Sequence, residues 1–359
     1  MSLRSWSIAL LLLLPGALCA TDPPPWTVGV RGLGGFIVPH HPRIRLVQDR
    51  HALGGELFMQ RWFSGRREWH GNYLRPAWGV SALWMRTGSD RMGAAVRVLP
   101  YLELPLRAPG ALELNFRVGW GLGLVAHPFD RRTNHKQHLV GSRLNIAAQG
   151  ALVLRRHFGR SAVDVAIALD HLSNGSMQQP NLGVNVASLS VGWSHRLSDA
   201  APPAAVPDSS WRTAPRRWLD VLVNAGMNEV EPVGSGRRGV VSAVGSAYRR
   251  STARSAFGAG VDVFNKGTAS LADSTLRGRA QVACTQVGLH GGYNLLFGRL
   301  ALIAEVGAYV YSPVQESAPL YTRFGMRHRV GERLLINLTL KSHFFVADHF
   351  EVGIGYRFP

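Results

Sequence analysis

The run His171-Leu172-Ser173-Asn174-Gly175-Ser176, followed by Pro180-Asn181-Leu182-Gly183-Val184-Asn185, sets an imidazole two residues before a hydroxyl. A serine hydroxyl is a poor nucleophile until a base takes its proton, and an imidazole within hydrogen-bond reach can do so. Residues two apart on a strand share a face, so His171 and Ser173 can meet if the segment is extended. A third group must then orient the imidazole, and Asn185 is the candidate. Asp170 is the acid nearest in sequence, but alternation turns it to the opposite face, so it is rejected as the third member. The chemistry available to such a set is acyl transfer, in practice ester hydrolysis. A His-x-Ser pair alone is not specific, because a polar pair at a membrane interface reads the same way.

The elements that must position these groups are strands. Val163, Val165, Ile167 and Leu169 alternate with Ala162, Asp164, Ala166, Ala168 and Asp170, and His171 and Ser173 continue the apolar row. Ala187, Leu189, Val191 and Trp193 form the outward row of the returning strand, with Asn185 in phase. The same period of two runs through Leu112 to Leu124, Phe257 to Val263 and Leu334 to Lys341. Segments of ~10 residues with an apolar face and a polar or glycine face are those of transmembrane barrels. Polar groups facing lipid are costly unless paired, so a cluster of them on that face asks for a function.

Composition sets the frame. Among 359 residues only 17% are charged, 40 are glycine, and no run after the first twenty reaches the ~18 apolar residues of a spanning helix. Met1 to Ala20 reads as a signal peptide: Arg4 is the basic region, Ile8 to Leu14 the apolar one, with cleavage after Ala20. A lipoprotein reading through Cys19 competes with it. An exported chain without spanning helices must cross a membrane by strands. Lys and Arg number 40 against 22 Asp and Glu, a net charge of +18. In an exported protein that excess points to a surface rich in phosphates or carboxylates rather than to nucleic acid. The connections that alternate along the chain are short at 107–110, 157–161, 298–299 and 331–332, and long and basic at 40–50 and 127–138. Arg43, Arg45, Arg50, Arg131, Arg132 and Lys136 would then face the phosphates of lipopolysaccharide.

The expected fold is all-β: one closed, antiparallel, transmembrane barrel of the outer-membrane type over residues 21–359, with about 14–16 strands. The Pro/Ala-rich stretch 198–216 leaves open a division into two eight-stranded halves, but a second barrel would need its own edges sealed. The closing row Phe350, Val352, Ile354, Tyr356, Phe358 resembles the C-terminal assembly signal of outer-membrane proteins. Trp62, Trp78, Trp84 and Trp193 are read as interfacial anchors. His40-His41 and His127/His135/His138 are read as loop histidines, since no carboxylates or cysteines stand at ligand spacing, and neither a metal nor a cofactor is called for.

The residues His171-x-Ser173-Asn174-Gly175 and Pro180-Asn181-x-Gly183-x-Asn185 resemble the signature of the lipid A 3-O-deacylase (PagL-type) family and its acyloxyacyl-hydrolase-like relatives. Gly119-Trp120-Gly121-Leu122-Gly123 and Gly141-Ser142-Arg143-Leu144-Asn145 are similar to that family's upstream segments. The resemblance covers Gly119 to Trp193, and elsewhere only the barrel pattern. It implies an outer-membrane enzyme whose serine attacks an ester of lipid A. Ser173 is then the nucleophile, His171 the base and Asn185 the orienting group. Asn181 and the backbone N–H of Ser176 form the oxyanion hole, and Asn174 and Gly175 support it. Two positions depart from the family: an acidic residue is usual where Asn185 stands, and a glycine where Ser176 stands. Two other readings stay open. A porin-like or structural barrel could be lined by Asp164, Arg117, Glu305 and Asp262, and a barrel phospholipase could use the same serine.

Overall fold

The computed structural model describes residues 24–359 apart from 66, 108–109, 200–215, 315–317 and 345. The signal-peptide reading and most of the Pro/Ala-rich connection therefore lie outside the described residues. The alternating segments form long antiparallel strands. The first eight are β1 (Thr27–Ile37), β2 (Ala52–Trp62), β3 (Ala77–Arg86), β4 (Ala94–Pro105), β5 (Leu112–Val125), β6 (Leu144–Phe158), β7 (Ser161–Ser173) and β8 (Val184–Arg196). The next eight are β9 (Arg217–Asn228), β10 (Arg238–Arg250), β11 (Ser255–Lys266), β12 (Thr285–Phe297), β13 (Leu300–Tyr311), β14 (Leu320–Val330), β15 (Leu334–His343) and β16 (Val346–Phe358).

These strands close as two barrels of eight, not one of sixteen. β1 pairs with β8 from Thr27↔Arg196 to Ile37↔Val186, and β9 pairs with β16 from Leu219↔Phe358 to Ala225↔Val352. The single closed barrel is thus corrected to its alternative. Each edge that was expected to stay open is sealed by the strand seven places along the chain. Closure satisfies every strand's backbone groups within its own barrel, which is what lipid demands. No helix among the described residues is long and apolar enough to cross a membrane.

Eight strands leave an interior just wide enough for side chains to fill. In the first barrel Arg117 and Arg155 each reach Glu103 at 2.6 Å, Arg31 reaches Asp164 at 2.8 Å and Arg97 reaches Asp170 at 3.0 Å. In the second, Arg323 bonds Glu305 and Glu351 at 2.7 Å and Asp262 at 3.0 Å. Buried charges persist only when paired, so these networks are the cores of the two barrels. Asp164, Arg117, Glu305 and Asp262 do face inward, but they are paired in packed interiors and line no wide pore. The outer faces are apolar instead: Ile167, Leu57 and Ile354 are each more than 60% exposed. Trp84 and Trp193 stand outward on this surface, while Trp62 and Trp78 are half-buried.

The barrels touch at both ends. At the end with short turns, the Tyr73 hydroxyl donates to Leu296 O at 2.8 Å, and its ring stacks on Phe297 at 4.6 Å between centroids. At the end with long connections, the loop between β7 and β8 meets the rim of the second barrel.

Candidate functional site

β7 keeps the phase read from sequence up to its last turn of residues. Val163, Val165, Ile167 and Leu169 are exposed, Ala162 to Asp170 on the other phase are buried, and His171 and Ser173 follow the outward phase. Asp170 points inward, paired with Arg97 and 3.2 Å from Gln149 Nε2, as the alternation required. The outward phase does not leave Ser173 bare, however. It is only 3% exposed and His171 is half-buried, because the connection 174–183 folds back over the strand end.

Gly183 explains how close this fold-back comes. Its φ of +72° belongs to the left-handed region, and a Cβ there would lie 2.9 Å from His171 Cε1 and 3.5 Å from Ser173 Cβ. One point on the returning chain thus touches both side chains, and only glycine meets the conformation and the spacing together. Ser173 makes no hydrogen bond to His171 in this structure. Such contacts are often long before substrate binds.

The β7–β8 register sets His171 directly opposite Asn185. Asn185 Oδ1 lies 2.7 Å from His171 Nδ1, and Asn185 Nδ2 lies 3.2 Å from His40 Nδ1. His40 Nε2 in turn lies 3.1 Å from Leu182 O. One proton assignment satisfies the row. His40 donates from Nε2 and accepts at Nδ1, Asn185 donates its amide N–H and accepts at Oδ1, and His171 donates from Nδ1. The opposite tautomer of His40, with Nδ1–H toward Val38 O at 3.2 Å, would set two N–H groups against each other. His171 Nε2 is then the ring atom left with a lone pair.

His40 was read from sequence as a loop histidine, and its contact with Asn185 went unseen. It stands three residues past the end of β1, and Val38 N–H donates to Asn185 O at 2.8 Å. Only the β1–β8 closure brings it there, so no local signal could have found it. Nearby, Leu182 N–H donates to His138 O and Gly183 N–H to Leu139 O, fastening the fold-back to the β5–β6 connection. Burial first, then the Arg43 charge, hold the His138 imidazole below its ordinary range.

Asn174 N–H donates to Asn181 Oδ1 at 3.0 Å. That bond fixes the Asn181 amide and leaves its Nδ2 buried without a partner among the described residues. A buried donor left unpaired is uncommon and asks for an acceptor. Asn174 Nδ2 bonds Ser142 Oγ at 3.0 Å and Gln178 O at 2.9 Å, and Asn145 Nδ2 bonds Ser142 O at 2.9 Å, so the upstream segment 141–145 buttresses the loop. Ser176 has φ 63°, donates its hydroxyl to Ala347 O at 2.6 Å and accepts from Glu229 N–H at 2.8 Å. Its own N–H has no acceptor among the described residues. Gly175, also left-handed, lies over the Phe350 ring. The basic residues Arg43, Arg45, Arg131, Arg132 and Lys136 are exposed on this end, and Arg50 is exposed but paired with Asp90 at 2.6 Å.

Fold and site together define a membrane-spanning double β-barrel with a His, Ser and Asn cluster at one rim of its first barrel. Residues 53–194 match the lipid A 3-O-deacylase (PagL) family, and residues 217–359 match the acyloxyacyl hydrolase C-terminal domain. The second match covers strands that the sequence motif alone read only as barrel pattern. Among solved structures, the outer membrane enzyme PagL is similar at 17% identity with a TM-score of 0.34, covering 46% of this chain and 97% of that one. A triple mutant of the Rhodopseudomonas blastica porin (9% identity, TM-score 0.18) covers 93% of this chain and 99% of its own. The siderophore receptor PirA from Pseudomonas aeruginosa (8% identity, TM-score 0.24) covers 94% of this chain and 82% of its own. No curated protein matches the chain.

Proposed function

We propose that the chain is an outer-membrane ester hydrolase that removes an acyl chain from lipid A, with Ser173 as nucleophile and His171 as base. The observation that carries this reading is the 2.7 Å bond from His171 Nδ1 to Asn185 Oδ1, which leaves the Nε2 lone pair of the same ring to act as the base. Ser173 Oγ attacks the ester carbonyl as His171 Nε2 takes its proton, and the carbonyl oxygen becomes an oxyanion. Asn181 Nδ2 and the Ser176 N–H, for which no acceptor stands among the described residues, would receive that charge. Collapse breaks the ester C–O bond, and the imidazolium gives its proton to the departing sugar oxygen, which leaves as a hydroxyl. Water, deprotonated by His171, then attacks the acyl-enzyme and releases the fatty acid and Ser173. Asn185 holds the imidazole in the correct tautomer but, being neutral, stabilises the imidazolium less than a carboxylate would. The filled interiors support an enzyme over a porin. The exposed arginines suit a phosphorylated glycolipid.

The test is fatty-acid release from lipid A by the purified chain in detergent, read by mass spectrometry, with phospholipid in parallel. Release by wild type and none by Ser173→Ala is expected, and the mass lost names the acyl chain. Release from phospholipid alone would transfer the same chemistry to another lipid. Equal release by Ser173→Ala would refute the proposed nucleophile.

A further inference from the structure

The connection 174–183 carries both proposed oxyanion donors, yet much of what holds it belongs to the second barrel. Ser176 Oγ donates to Ala347 O at 2.6 Å, and Arg237 Nη2 donates to Gln178 Oε1 at 2.8 Å. The remaining bonds from this loop to the second barrel converge on Glu229, immediately after β9. Its N–H donates to Ser176 O at 2.8 Å, its carbonyl accepts from Gln179 Nε2 at 3.1 Å, and its carboxylate Oε2 accepts from Gln179 N–H at 2.8 Å. The other oxygen, Oε1, accepts from Gly234 N–H at 2.7 Å and Gly236 N–H at 3.4 Å in its own loop. Glu229 is only 5% exposed.

We infer that Glu229 is a positioning residue: through it the second barrel holds the oxyanion-donor loop of the first in its working conformation. This rests on the ester-hydrolase reading above. Three features support it. One of the three bonds to the loop, Gln179 N–H to the carboxylate, is charge-assisted and so stronger than a neutral one, while the other two run through the Glu229 backbone. The anchor itself is fixed, because the neighbouring Asn228 bonds Asp348 at 3.3 Å and Thr268 at 3.0 Å, and Lys341 bonds Asp348 at 2.7 Å. Finally, Glu229 grips the loop on either side of its bend, at Ser176 and at Gln179. Those residues close the turn that runs from Ser176, whose N–H is one donor, toward Asn181, which carries the other. Oxyanion donors act only when held within about 0.5 Å of their productive position, which a ten-residue connection does not secure by itself.

Both carboxylate oxygens are in use, one on each loop. Glu229→Gln keeps the volume but offers one acceptor oxygen and turns an NH2 toward N–H groups, so either Gln179 N–H or the Gly234 and Gly236 N–H groups lose their acceptor, while the backbone bonds to Ser176 O and Gln179 Nε2 stay. In the full chain with lipid A, we expect Glu229→Gln to lower kcat about 10- to 100-fold with KM changed less than about threefold. The unfolding midpoint should stay near that of wild type, and Ser173 should react more slowly with a fluorophosphonate, whose attack also builds an oxyanion. Glu229→Ala should behave alike. If both variants keep kcat and labelling within twofold of wild type while Ser173→Ala is inactive, Glu229 is only interface glue and the inference falls. If KM rises and kcat holds, Glu229 serves lipid binding and the inference falls as well. If Ser173→Ala remains active, the hydrolase reading itself fails, and this one with it.

Discussion

Replacing Asn185 by Leu keeps the branching of the side chain and removes both of its bonds, to His171 Nδ1 at 2.7 Å and to His40 Nδ1 at 3.2 Å. The loss is largest where His171 carries a proton. A hydrogen bond to a charged group contributes about 1.5–3 kcal/mol, against about 1 kcal/mol for a neutral pair. Since the imidazole is neutral in the ground state and charged in the transition state, kcat should fall by the difference, about 0.5–2 kcal/mol or about 2- to 30-fold at 1.36 kcal/mol per decade. KM should move little, because the imidazole binds no substrate in the ground state. Asn185→Asp separates orientation from charge. It keeps the acceptor for His171 Nδ1–H, and a carboxylate can hold His40 as an imidazolium donating to both Leu182 O and Asp. Its activity should equal or exceed that of wild type. His40→Phe, which frees the Asn185 amide without removing its acceptor, should fall between, about three- to tenfold down. The assay is initial-rate fatty-acid release from lipid A by mass spectrometry over a range of substrate. An Asn185→Leu chain with kcat within twofold of wild type, when Ser173→Ala is inactive, would refute the orienting argument.

Asn181→Asp retains the acceptor for Asn174 N–H but replaces the unpaired donor by an anion, and should lower kcat at least about 100-fold, measured in the same assay. Arg323→Met removes the cation shared by the buried carboxylates of Asp262, Glu305 and Glu351 and should destabilise the second barrel by about 3–5 kcal/mol, read as a lower urea midpoint. His70, in the connection between β2 and β3, is held down to about 4 by burial first and the Arg67 charge second, and its Nδ1 accepts Arg67 N–H at 3.3 Å. The unfolded chain therefore takes up a proton that the folded one refuses, so stability is full above pH 6.5 and falls as pH drops toward 4. Between pH 7.5 and 5 the loss should be about 1–2 kcal/mol in urea titrations, and His70→Gln should flatten it.

Much of this protein was legible in its sequence. Alternation with period two is a local property of the chain, so the strands around Leu112, Phe257 and Leu334 could be read directly, as could the outward phase of His171 and Ser173 and the inward phase of Asp170. The short turns and long connections were legible for the same reason, and the motif from His171 to Asn185 carried the family. What the sequence could not decide is which strands meet at the edges. An alternating strand offers the same N–H and C=O groups to any partner, so one barrel of sixteen and two of eight share one pattern until β1 finds β8 and β9 finds β16. Everything that depends on closure followed only from the tertiary structure. His40 reaches Asn185 across 145 positions because β1 ends beside β8. The burial of Ser173 comes from a loop folded back past its own strand, and Glu229 meets that loop only because two barrels, each closed on itself, stand rim to rim.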